Sequence, residues 1–224
     1  MDSKKVREPT EDYIFKRVFG KKGNEDILKD LLESILEIKI EEIEVIIGAE
    51  IEKENIEDKL GIIDLKATIN KETTVDIEIQ VKDYHNMIER STFYIAGLYH
   101  TGLKRGERYE KNNKVIGINI LMFNIFKWKK FHSKGILKEN ELNEIMTDKL
   151  ELHFLELPKI IKNSEEGNKR LRQWLEFIYN KRKSIHMWLA MTVYLMVFYN
   201  ISLNLVRQSL AISVILFSMR YVEN

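Results

Sequence analysis

The sequence predicts an α/β (α+β) fold, a sheet flanked by helices, on three observations. Residues 11–36 carry an apolar stripe at helical spacing, residues 61–81 hold two alternating segments, and a helical segment at 85–105 leads into the near-continuous apolar run VIGINILMF, 115–123. Read in order, the elements run helix, three strands, helix, strand, with one more strand and a helix beyond.

The first helix takes Ile14, Phe15, Val18, Phe19, Ile27, Leu28, Leu31, Leu32 and Ile35 as its buried stripe, with a break near Gly20 and Gly23. EIEVIIGAE, 42–50, is a short first strand. GIIDLKATI (61–69) and VDIEIQV (75–81) both alternate, and the polar NKET (70–73) between them has the length and chemistry of a hairpin loop. The helix at 85–105 follows, and VIGINILMF reads as a central strand buried on both faces. LELHFLELP, 150–158, alternates as another strand, on which His153 reads as a solvated position, and RLRQWLEFIYN, 170–180, returns to helical spacing.

The hairpin is where chemistry concentrates. Matching apolar to apolar side chains sets Asp64 opposite Gln80 and Lys66 opposite Glu78, leaving Asp64 and Glu78 as diagonal neighbours roughly 7–8 Å apart at the backbone. Two carboxylates on rigid strands, with the Ile79 carbonyl and waters, make the incompletely filled oxygen shell that Mg²⁺ prefers. Asp76, on the same face, reads as solvated. An antiparallel sheet with one wet face accounts for the same three polar residues without any chemistry, so the neighbouring segments have to decide.

Asp64 followed by Glu78-Ile79-Gln80 on the next strand resembles the PD-(D/E)XK nuclease core in an E-x-Q variant. EDYIFKRVFG (11–20), IEIQVKDYHNMIERSTFYIAGLYHTGLKRGERYEKNNKVIGINIL (77–121), KFHSKGILKE (130–139) and LELHFLELPKI (150–160) are similar to the Rpn family of recombination-promoting nucleases and transposases, over residues 9 to 181. The resemblance implies a restriction-endonuclease-like core, a mixed central sheet flanked by helices, in a nuclease domain spanning 9–183. It implies a DNA endonuclease linked to recombination or mobile elements. Asp64, Glu78 and Gln80 would be catalytic, and Asp64, Glu78 and the Ile79 carbonyl would ligate Mg²⁺, for which Mn²⁺ can substitute. Gln80 stands where the superfamily usually has Lys, and a neutral amide can only hydrogen-bond, so part of the electrostatic load moves elsewhere. Lys66, Arg90 and Tyr94 are the candidates for substrate contact; Arg90 and Tyr94 share a helix face at i, i+4, and an Arg fork matches phosphate geometry. The structural alternatives are a cross-strand partner for Glu78 at Lys66 and an Arg–Glu surface pair beside a core Tyr.

Composition bounds these readings. With 44% hydrophobic residues in 224, the chain builds one sizeable core, and the absence of Cys excludes disulfides and thiolate-bound zinc and suits a reducing cytoplasm. MDSKKVREPTEDY lacks the apolar core of a secretion signal. A net charge of +1 gives no global attraction to nucleic acid, so DNA binding rests on local clusters such as LKRGER, 103–108, and KWKKFHSKGILK, 127–138, which has five Lys and no acid. Residues 184–224 stand apart: Met187–Val206 is uncharged over 20 residues. It reads as a frameshifted tail, a buried helix that completes the domain or a homodimer, or a membrane segment, the last of which nuclease function gives no reason for. A catalytically inactive DNA-binding or interaction module on the same scaffold is the competing functional class.

Overall fold

In the computed structural model, residues 15, 18–47, 64–160 and 168–180 are described. The first expected strand is therefore seen only as far as residue 47, and the uncharged stretch 187–206 lies outside the described residues. Among the described residues, no helix is long and apolar enough to cross a membrane.

The chain divides after Arg172 into two units, of which the first holds the sheet. Its elements are α1 (Glu25–Leu36), β1 (Ile43–Ile47), β2 (Leu65–Ile69), β3 (Thr73–Gln80), α2 (Met87–His100), β4 (Lys114–Leu121), β5 (His132–Lys138) and β6 (Ile145–Glu156), followed by the start of α3 (Lys169–Asn180). The six strands lie in the order β1-β2-β3-β4-β6-β5. β1, β2 and β3 are antiparallel, β3, β4 and β6 are parallel, and β5 returns antiparallel to β6. The mixed sheet with flanking helices expected from the sequence is thus present. β5 is an addition, because the sequence marks HSKGILK by its charge and its family resemblance and not by an alternating pattern.

The hairpin register differs from the expected one. Lys66 pairs with Asp76 and Leu65 with Ile77, two residues away from the register that set Lys66 against Glu78. The reason is the turn. Asn70 and Lys71 both take positive φ (50° and 62°), and the Glu72 N–H closes the turn on the Ile69 carbonyl at 3.2 Å, so the loop is shorter than NKET. Asn70 also ties the turn to the approach of β1, its Oδ1 accepting from the Glu41 and Glu42 amides at 2.8 and 3.3 Å. A two-residue slip keeps every side chain on its own face, so alternation alone cannot reveal it.

Neither face of β3 is wet: Val75 through Ile79 are all buried. α2, the crossover between parallel β3 and β4, covers the face that carries Asp76 and Glu78. Gly117, paired with Asp76, permits this approach, since a Cβ there would stand 2.7 Å from Ile95 Cγ2 and 2.9 Å from Leu152 Cδ2. Beside it Asn119, paired with Glu78, accepts the Ser91 hydroxyl at 2.6 Å and donates to the His153 carbonyl at 3.1 Å, fixing α2 to the sheet with a buried polar link. On the side of α1, Leu28, Leu31, Leu32 and Ile35 are buried, as the stripe required. In the second unit, the described part of α3 buries Trp174, Leu175 and Ile178.

Candidate active site

Three acidic residues share the α2 face of the hairpin. In the observed register Asp64 faces Glu78 directly, its amide donating to Glu78 Oε1 at 3.1 Å, where the sequence had suggested a diagonal pair. Asp76 lies two residues before Glu78 on the same face and is only 3% exposed. The expectation that it is solvated is therefore wrong: the covering helix removes it from water. Its Oδ1 has no hydrogen-bond partner among the described residues. Burial first, and then repulsion from Glu78 and Asp64, push its carboxyl well above the usual range.

Arg90 answers part of this charge. Its Nη2 donates to Glu78 Oε2 at 2.6 Å, its Nη1 to Gln80 Oε1 at 3.1 Å, and its Nε to the Tyr94 hydroxyl at 3.2 Å. The guanidinium carbon stands 5.2 Å from the centre of the Tyr94 ring. Gln80 is held from its other end as well, Nε2 donating to the Lys82 carbonyl at 3.0 Å. Burial raises the Tyr94 hydroxyl above its ordinary value, against the pull of Arg90. The surface Arg–Glu pair considered from sequence is thus a pair with a buried acid, Glu78 being 1% exposed in its side chain.

The structure brings together Asp64, Glu78, Gln80, Arg90 and Tyr94 at one end of β3, where the parallel strands finish. Lys66 shares their face, opposite Asp76 instead of Glu78. Ile79 sends its buried side chain to the other face, leaving only its carbonyl as a donor toward a metal. Among the described residues no group of three or more His, Cys, Asp or Glu side chains is spaced as a formed metal cage. The donor set is nonetheless hard oxygen, and a buried Asp76 beside Glu78 and Asp64, its charge only partly offset by Arg90, is the electrostatic state that a small divalent cation relieves. The residues fit such an ion.

Sequence reasoning missed a second charged network on the opposite face. His153, expected to be a solvated strand position, is 2% exposed, and Glu151 beside it on the same face is 3% exposed. His153 Nε2 lies 2.6 Å from Glu151 Oε1, and its Nδ1 2.7 Å from His132 Nε2. Lys114 and Lys134 each reach Glu151 at 2.7 Å. His132 and Lys134 come from β5, whose segment HSKGILK opens with three consecutive polar residues and so carries no alternation by which the strand could be read.

A family model described as PD-(D/E)XK nuclease family transposase matches residues 9–197. No curated protein and no solved structure matches the chain.

Proposed function

The chain belongs to the PD-(D/E)XK nuclease family transposases, and from that premise we propose that it is a metal-dependent DNA endonuclease hydrolysing phosphodiester bonds in the traffic of mobile elements. The observation that carries this reading is the direct opposition of Asp64 and Glu78, with Asp76 beside them leaving its Oδ1 without a hydrogen-bond partner among the described residues. Asp64, Glu78 and the Ile79 carbonyl would hold the ion, of the Mg²⁺ or Mn²⁺ class. Such an ion supplies a lowered pKa for the attacking water and neutralises charge on the phosphate.

The chain's own groups do the rest. Gln80, its amide fixed between Arg90 and the Lys82 carbonyl, orients the water or a phosphate oxygen. Being neutral, it leaves positive charge to Arg90, whose fork is already at the site and matches a phosphate. Tyr94 steadies that fork. The absence of Cys fits a reducing cytoplasm as the place of action.

A second reading, an inactive DNA-binding module, is favoured by one observation: Arg90 occupies Glu78 as tightly as a structural ion pair would. Plasmid nicking separates the two. The nuclease reading expects Mg²⁺-dependent nicking that EDTA, Asp64→Ala and Glu78→Ala each abolish; cleavage that survives either substitution in folded protein refutes it.

A further inference from the structure

The loop 122–131 between β4 and β5 is anchored with unusual thoroughness for a surface segment. Glu156, completely buried at the end of β6, accepts the Ile125 and Phe126 amides at 2.7 and 3.1 Å through Oε1. Its Oε2 pairs with Lys159 at 2.5 Å, and that ammonium also donates to the Phe126 carbonyl at 3.0 Å. Burying an ion pair is costly, and here its hydrogen bonds go into holding one loop.

What the loop presents is an indole. Phe126 packs edge-on against buried Phe154 at 5.4 Å, and Trp128 stacks on Phe126 at 4.2 Å with the rings 11° from parallel. The indole N–H donates to Ser133 Oγ at 2.8 Å. One ring face is covered and the N–H satisfied, yet Trp128 remains 51% exposed. Leaving that much aromatic surface in water forgoes hydrophobic stabilisation, while the stack on Phe126 and the bond to Ser133 remove the freedom that would let it fold inward. Lys127 and Lys130 flank it, both exposed.

The platform stands beside the candidate active site. The Met122 amide donates to the Gln80 carbonyl at 3.0 Å, so the loop begins where β3 ends. Phe154 clusters with Met87, which opens α2, and with Leu121, which is in register with Gln80 and so shares its face. The aromatic row Phe154, Phe126, Trp128 therefore runs outward from the same face and the same end of the sheet as Glu78 and Arg90.

We propose that this loop is a strand-binding platform: Trp128 stacks on an unpaired base of the DNA substrate while Lys127 and Lys130 contact adjoining phosphates. The substrate then carries a single-stranded segment next to the scissile bond. A fixed indole between cations is the arrangement that binds single strands without reading sequence, because every base has a face to stack. The inference rests on the nuclease reading for DNA as the ligand.

The test is fluorescence anisotropy of the full chain, in EDTA, with labelled oligothymidylate and with a blunt duplex of equal length. Trp128→Ala should weaken single-strand binding roughly tenfold and leave the duplex within about twofold, whereas Trp128→Phe keeps most of the affinity. Replacing Lys127 and Lys130 by Gln should lower the slope of log affinity against log salt by about 1.4. Unchanged single-strand binding by Trp128→Ala, an equal loss on both ligands, or no binding of the single strand by the unaltered chain would overturn the proposal. Trp128-dependent binding by a chain that cuts nothing would support the platform and sink the nuclease reading alone. Glu78-dependent cutting with no effect of Trp128 would do the reverse.

Discussion

Asp76 and Glu151 are both carboxylates on inner strands of one sheet and both nearly excluded from water, yet their surroundings drive them in opposite directions. Asp76 has an oxygen with no partner among the described residues, two acidic neighbours, and a carboxyl raised well above its usual range, burial being the largest cause. Around Glu151, burial likewise favours the neutral form, but hydrogen bonds from His153, Lys114 and Lys134 outweigh it and hold the carboxyl well below its usual range. In one region burial and like charge outweigh what Arg90 offers; in the other, hydrogen bonds from three neighbours outweigh burial. The comparison teaches that burial alone does not set a carboxyl's charge state; the partners around it do.

The comparison breaks most readily at Glu78. Substituting it by Ala should abolish metal-dependent nicking, whereas Glu151→Gln should leave nicking within about twofold, since the Glu151 network lies on the far face. Equal losses in the two variants would erase the distinction. Next in size is Arg90→Ala, which strands the buried Glu78 charge and should cost about 3–5 kcal/mol in urea unfolding without metal. Glu151→Gln should cost about 2–3 kcal/mol by the same measurement.

Smaller effects appear on titration. His132 is pushed down to about 3, by burial first and then by His153, and Glu151 is lowered too. In both cases the unfolded chain takes up protons more readily than the folded one. The His132 contribution is therefore complete above about pH 6.5 and lost as pH falls to about 3, and that of Glu151 is complete above its ordinary 4.5 and lost as pH falls through its lowered folded value, at about 1.4 kcal/mol per pH unit for each proton involved. Asp76 has the reverse sign: its folded value is raised, so its contribution is present below the ordinary 3.8 and lost as pH rises through the raised value. Asp76→Asn should accordingly stabilise the metal-free protein at pH 7 and have little effect at pH 3, which thermal melts at the two pH values would check.

Much of this contrast was hidden from the sequence for identifiable reasons. The alternation of VDIEIQV correctly placed Asp76, Glu78 and Gln80 on one face, and the i, i+4 spacing put Arg90 beside Tyr94. What covers that face is a tertiary fact: nothing within the hairpin reports that α2 lies over Asp76, or that Gly117 makes room for it. The register was read two residues out because Asn70-Lys71 adopts a tighter turn than a polar tetrapeptide suggests, and a slip of two preserves every face. β5 escaped notice because an edge strand tolerates Lys, Ser and Gly, so HSKGILK looked like a charge run. With β5 unread, the burial of His153 and Glu151 could not be anticipated either.

The most direct measurement is calorimetric titration of Mn²⁺ into the full chain, the Glu78→Ala variant and the Glu151→Gln variant, each first shown to be folded. If Asp64 and Glu78 share an ion, the unaltered chain and Glu151→Gln bind Mn²⁺ alike and Glu78→Ala does not bind it. Binding that persists undiminished in Glu78→Ala would contradict the account.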